Sequence, residues 1–203
     1  MIELTENLLP RDGEAYYVAG VIDPVRSQEL TDALLAEVPW QHDEIVMFGK
    51  RIVTARQVAW VADEGLSYTY SSVEKRPLAW SPVLKELKLL VETWTSAAFN
   101  ACLLNLYQDG TEGMGWHSDD EKSIVGESVI ASVSLGAERP FRFCHKESGD
   151  VVRLTLETGS VLIMKGAIQR CWKHTLPKTK RVTSPRVNLT FRLMRPVVAE
   201  ESR

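Results

Sequence analysis

Apolar side chains recur at two different periods along this chain. In the first hundred residues the helical period of about 3.6 dominates. Asp23-Pro24 supplies a capping side chain followed by proline at the first helical position, which predicts a helix to about Glu37. Ser81-Pro82 repeats the signal, and Leu84, Leu87, Val91, Trp94 and Ala98 form one stripe over residues 83–99. Short strands are expected around residues 45–51 and 58–61. After Phe99 the period falls to two. Candidate strands cover residues 101–107, 129–135, 141–144, 151–156, 160–164, 172–176 and 186–194. Turn signals separate them at Asp109-Gly110, Gly136, Ser148-Gly149-Asp150, Thr158-Gly159 and Pro177. Short strands at this spacing predict a sandwich or jelly roll, with the helices packed against a sheet, in an α+β fold.

Length and charge refine this picture. A chain of 203 residues is expected to form one domain. The net charge of −3 gives no bulk sign of nucleic-acid binding, but it is unevenly spread. Residues 1–48 hold ten acids and two bases, whereas residues 165–181 hold six bases and no acid. The latter are Lys165, Arg170, Lys173, Lys178, Lys180 and Arg181, a run that can meet phosphates or simply be solvated. Cys102, Cys144 and Cys171 are scattered and are expected to be free thiols. No apolar run reaches the ~20 residues of a membrane span, and no secretory pattern is read at the start. A monomer in the cytoplasm is the expectation.

His117-Ser118-Asp119 offers two metal-ligating side chains at i and i+2, which share a face if the stretch is extended. A distant His174 completes a set of two imidazoles and one carboxylate. That set suits non-haem Fe(II) with open coordination positions, and it also suits a zinc hydrolase. The strand from Arg186 to Arg192 separates these readings. Arg186, Asn188, Thr190 and Arg192 fall on one face, and Val187, Leu189 and Phe191 on the other. Burying two guanidinium groups is costly unless anions meet them. A dicarboxylate fits, because the planar fork binds a carboxylate through two hydrogen bonds. Asn105 and Tyr107, also at i and i+2, offer further donors. Fe(II) chemistry with 2-oxoglutarate as co-substrate accounts for this strand; arginines paired with surface acids remain the simpler alternative.

In these residues the chain resembles the AlkB family of nucleic-acid dealkylases. The resemblance rests on Asn105-Leu106-Tyr107, His117-Ser118-Asp119-Asp120-Glu121, residues 131–136 (Ala-Ser-Val-Ser-Leu-Gly), Trp172-Lys173-His174 and the strand from Arg186 to Arg192. It extends upstream through Met47-Phe48-Gly49-Lys50 and residues 66–71, and is most similar to the branch acting on duplex DNA. It covers about residues 40–195. It implies a double-stranded β-helix, with His117, Asp119 and His174 binding iron. It implies that Asn105, Tyr107, Arg186, Asn188 and Arg192 hold 2-oxoglutarate, with Arg186 on the distal carboxylate and Arg192 near the one that chelates the metal. Tyr68, Tyr70, Ser71, Asp120 and Glu121 would line a base pocket, and Phe48 would fill the gap left by a flipped base. The implied reaction is oxidative demethylation of 1-methyladenine and 3-methylcytosine in DNA, consuming 2-oxoglutarate and O2 and releasing formaldehyde. One feature departs from that branch: the hairpin at residues 146–150 is short and holds two acids, so strandedness stays open. An RNA- or protein-directed demethylase and a non-catalytic module that binds damaged nucleic acid are the alternatives.

Overall fold

The computed structural model describes residues 2, 4, 6–47, 50–66, 68–70, 73–75 and 77–196, with backbone alone for 44–47, 50–52, 68–70 and 73–75. In chain order the elements are β1 (Glu14–Val18), α1 (Pro24–Glu37), β2 (Gln41–Met47), β3 (Lys50–Ala62), β4 (Tyr68–Tyr70), β5 (Val73–Lys75), α2 (Pro82–Thr95), β6 (Ala101–Tyr107), β7 (Met114–His117), β8 (Ile130–Gly136), β9 (Arg139–His145), β10 (Val151–Leu156), β11 (Ser160–Lys165), α3 (Ile168–Cys171), β12 (Trp172–Leu176) and β13 (Arg186–Arg192).

Both helices begin where capping chemistry places them. Asp23 accepts a hydrogen bond from the backbone N–H of Arg26, and Ser81 from that of Leu84. The second helix stops at Thr95 rather than continuing to Phe99. Ser96 adopts a left-handed conformation, φ 54°, and its N–H donates to the Glu92 carbonyl. Ala98 and Phe99 extended the apolar period because Phe99 still reaches the core, 2% exposed, from outside the helix.

Two sheets face each other. The larger runs β1-β11-β8-β13-β6-β3-β2 and the smaller β10-β9-β12-β7; β4 and β5 form a separate pair. The alternation in the larger sheet sorts its residues between two cores. Leu104, Leu106, Val133, Val161, Val187, Leu189 and Phe191 join Leu30, Leu34, Leu84, Leu87 and Val91 of the helices. The opposite face meets the smaller sheet, where Tyr107, Leu162 and Met164 pack with Phe141, Phe143, Trp172 and Leu176. This is the jelly-roll core that the strand spacing predicts.

One local expectation is corrected. The strand expected over residues 45–51 is instead the end of β2, to Met47, and the start of β3, from Lys50, paired with Ile45 opposite Ile52 and Met47 opposite Lys50. An apolar-polar pattern does not reveal that the chain reverses within it. The paired strand β7 ends at His117, and Asp119 lies just beyond it.

Candidate metal centre and co-substrate cavity

The smaller sheet brings the distant histidines together. β12 pairs with β7 so that His174 lies directly opposite His117, with their rings 4.2 Å apart. Asp119 enters from the loop. Its Oδ1 lies 3.7 Å from His117 Nε2 and 3.9 Å from His174 Nε2. One ligand atom from each of the three lies within 4.8 Å of the others. No other such group of three or more occurs among the described residues.

Neighbours fix each ligand. His117 Nδ1 lies 2.8 Å from the Gly115 carbonyl; donation to it leaves Nε2 as a bare acceptor, the tautomer a metal needs. His174 stacks on Phe141, ring centroids 5.5 Å apart. The Asp119 N–H donates to Gln169 Oε1 at 2.8 Å, tying the loop to α3. Asp119 Oδ2 accepts from Arg192 Nη2 at 2.8 Å, so one carboxylate oxygen is held while Oδ1 faces both imidazoles. Burial by itself would raise the Asp119 pKa; Arg192, His174 and His117 outweigh that and bring it down to about 2. For His174, burial is the largest influence, reinforced by His117 and opposed by Asp119, and its pKa falls to about 3. Both ligands are therefore deprotonated at neutral pH.

The shift of His174 has a consequence for stability. Unfolded, this imidazole titrates near ~6.5, so between that pH and about 3 the unfolded chain binds more protons than the folded one. Stability then rises with pH across this window. The urea midpoint of metal-free protein is expected to fall between pH 7 and pH 5, and His174→Gln to flatten that fall. A midpoint unaffected by pH in wild type would rule out a neutral, buried His174.

A cavity of about 620 Å³ opens beside the three ligands. β13 lies between β6 and β8 and sets its polar floor. Arg186 is opposite Tyr107 and Gly136, and Asn188 is opposite Asn105 and Ser134. Gly136 has φ +81°, and a Cβ there would meet the Pro185 carbonyl at 2.5 Å, so glycine is required where β13 begins. Asn105, Tyr107, Asn188, Thr190 and Arg192 line the cavity. Asn188 Nδ2 donates to Ser132 Oγ at 2.7 Å and to the Val133 carbonyl at 3.0 Å. Arg186 lies one step further along β13, outside that lining, 2% exposed. It donates to Ser134 Oγ at 2.9 Å, stands over the Tyr107 ring, and makes no ion pair with an acid among the described residues. Its buried Nε has no hydrogen-bond partner. Burial lowers its pKa to about 10, against the pull of Tyr107. A buried guanidinium in this state calls for an anion.

The residue set fits an iron ion and a dicarboxylate: two imidazoles and one carboxylate oxygen leave coordination positions open, and Arg186, buried with its Nε unpartnered, lies at the end of β13 away from Arg192. Asp120 and Glu121 line the cavity, Glu121 with its Oε1 4.0 Å from Arg192 Nη1. Tyr68 and Tyr70 lie in β4, described by backbone alone; Phe48 and Ser71 fall outside the described residues.

Several neighbours of the site went unrecognised in the sequence. Arg56 Nε donates to Asn105 Oδ1 at 3.0 Å, and its Nη2 lies 3.6 Å from Asp43 Oδ2; both residues line the cavity. Neither belongs to a motif; the pairing of β3 with β6 brings Arg56 there, and the pairing of β2 with β3 brings Asp43. Arg139, 0% exposed, caps the Asp109, Glu112 and Pro177 carbonyls. Ser132 and Ser134 alternate with apolar residues, and that alternation was a usable signal for a polar inner face.

The chain matches the 2OG-Fe(II) oxygenase superfamily over residues 14–192. It is 43% identical over 161 residues to the Mus musculus protein named DNA oxidative demethylase ALKBH2, covering 75% of this chain and 67% of that one. It is 38% identical over 187 residues to the Mus musculus protein named alpha-ketoglutarate-dependent dioxygenase alkB homolog 3, covering 87% of this chain and 65% of that one. The chain thus spans about two thirds of the length of these curated relatives. The solved structure of OsALKBH1 superposes with a TM-score of 0.59 at 15% identity, covering 91% of this chain and 98% of that one, a likeness of fold alone.

Proposed function

Because the chain belongs to the 2OG-Fe(II) oxygenase superfamily, whose members use Fe(II) and 2-oxoglutarate, we propose that it oxidatively demethylates N-alkylated bases, 1-methyladenine and 3-methylcytosine, in DNA. The observation that carries this reading is the placement of Asp120 and Glu121 on the wall of the cavity that holds His117, Asp119 and His174. These methylated bases are cationic, and acids beside the metal favour them over neutral bases. The name DNA oxidative demethylase, borne by relatives from Mus musculus and Homo sapiens at 43% identity, supports DNA as the substrate.

Bound Fe(II), 2-oxoglutarate and O2 together supply the oxidising equivalent: O2 gives one oxygen atom to succinate, formed with CO2, and one to the methyl carbon, whose hydroxymethyl product leaves as formaldehyde. The chain's task is to hold and to exclude. His117 Nε2, Asp119 Oδ1 and His174 Nε2 hold the metal, and Arg192 keeps Asp119 oriented. Asn105, Tyr107, Arg186, Asn188 and Arg192 hold the co-substrate. Met114, Phe141, Leu162 and Met164 wall the cavity with apolar surface and exclude water. A base reaches this interior only flipped out or from a single strand. Phe48, Tyr68, Tyr70 and Ser71 complete the base site in this proposal. The three free cysteines agree with a reducing, cytoplasmic setting, and we take the active form to be a monomer. Among the described residues no helix is long and apolar enough to cross a membrane.

The test is direct. The iron-loaded protein is incubated with methylated oligonucleotides, DNA and RNA, single and double stranded. Loss of one methyl group by mass is expected from DNA and only with 2-oxoglutarate present. Loss from RNA alone would move the substrate to RNA. No loss from any of them, in a protein that binds them, would leave a binding module.

A further inference from the structure

Two bases of the run of residues 165–181 are already paired with acids. Lys165 pairs with Glu14 at 3.0 Å and Arg170 with Glu127 at 2.8 Å. Lys173 instead points outward from the smaller sheet, its Nζ 5.8 Å from the centre of the Trp116 ring. That outward face holds two more bases the run did not include. Arg153 of β10 is directly opposite Arg142 of β9, and Arg142 is opposite Thr175 of β12. Trp116 of β7 ends the row at the sheet edge, 46% exposed.

Two like charges directly opposed on one sheet face repel. Arg142 and Arg153 are both exposed, and neither forms an ion pair with an acid among the described residues. The other outward residues of β9 and β10 are Pro140, Cys144, Val151 and Thr155, all uncharged. The face therefore carries Arg142, Arg153 and Lys173 with no acid on the strands themselves. Neither arginine lines the cavity beside the three metal ligands. Three inter-strand steps of ~4.8 Å separate Arg153 from Trp116, roughly 14 Å in all. A linear array of negative charges fits such a row, and a small anion does not.

Position links the row to the reaction. β7 is the edge strand of the smaller sheet, and His117 on it lines the cavity while Trp116, the preceding residue, faces outward. A strand leaving the cavity around this edge meets Trp116 first, then Lys173, then the arginines. We propose that this outer face of β10-β9-β12-β7 docks the phosphodiester backbone of the single strand whose base occupies the cavity, with Trp116 stacking on a flanking base. The proposal rests on the demethylase reading and adds the surface that holds the rest of the polymer.

Binding of a labelled single-stranded deoxyoligonucleotide carrying one 1-methyladenine is followed by fluorescence anisotropy, without O2, over a range of salt. Arg142→Ala with Arg153→Ala is expected to weaken binding about tenfold and to reduce the slope of log K against log salt by about 1.4, the loss of two phosphate contacts on a single strand. Arg142→Lys with Arg153→Lys keeps both charges and should restore most of the affinity and the slope. Arg26→Ala, on the helical side, removes a charge and should change neither. Affinity and slope unchanged in the double alanine variant, while the wild type binds and demethylates, overturns this docking face alone. An equal loss with Arg26→Ala overturns it too, since net charge would then be the cause. A wild type that neither binds nor demethylates any oligonucleotide overturns the functional reading itself.

Discussion

Asp119→Ala should reduce turnover to background and abolish tight metal binding. The substitution removes the one anionic ligand, whose Oδ1 lies within 3.9 Å of both imidazole nitrogens. Two histidines alone make a weak, uncharged site for a hard divalent ion. A second effect separates this from a simple loss of a ligand. Asp119 and Arg192 are both buried, 6% exposed each, and joined at 2.8 Å. Breaking a buried pair by removing one partner costs up to about 3 kcal/mol, because the remaining guanidinium loses this close partner and keeps the longer contact with Glu121, 4.0 Å away. Metal-free Asp119→Ala should therefore melt below metal-free wild type. His117→Ala should lose turnover as well, but with little change in metal-free stability, because His117 is the most exposed of the three, 31%. Metal titration, turnover and thermal melting together check these outcomes. Full activity in either variant would sink the assignment of the metal centre.

Arg186→Ala should raise the 2-oxoglutarate KM by roughly 30-fold or more. Truncating one member of a buried, hydrogen-bonded charge pair costs ~2–5 kcal/mol, and each ~1.4 kcal/mol is tenfold in affinity. The side chain is 2% exposed, and its Nε is unpartnered in the protein alone, so the ligand carboxylate is the natural acceptor. Arg186→Lys keeps the charge but loses the fork and should fall between the two. Saturating 2-oxoglutarate should recover much of kcat in both, since the metal ligands are untouched. A KM unchanged in Arg186→Ala would mean that this arginine only braces Ser134 and Tyr107.

The helices and most strands of the second half were readable because local chemistry and core burial agree there. β6, β10 and β12 have the bounds that alternation gives, and α1 and α2 start at their Asp-Pro and Ser-Pro caps. The misses share a physical origin. β7 is four residues long, contains Gly115 and pairs irregularly with β12, so it has no period to detect. α3 is a single turn without a side-chain cap. β1 is mostly half-buried at the edge of the larger sheet, and its apolar and polar residues do not alternate cleanly. The reversal between β2 and β3 lies inside one apolar stretch, which a linear pattern reads as one strand.

By itself the sequence determined which residue types the site holds and which faces they share. Period two places Arg186, Asn188, Thr190 and Arg192 on one side of a strand whatever lies beyond it. Residue type and spacing offered His117, Asp119 and His174 as a ligand set, and the resemblance assigned them to iron. Only the tertiary structure decided how these parts meet. The register of β12 on β7 sets the two imidazoles opposite each other, and the segment just beyond β7 brings in Asp119. Arg56 reaches Asn105 across 49 residues of sequence, and Arg142 meets Arg153 on the outer face of the smaller sheet. Each of these depends on strand order and register. Those are fixed by burial over the whole sheet, and no local window of sequence contains them.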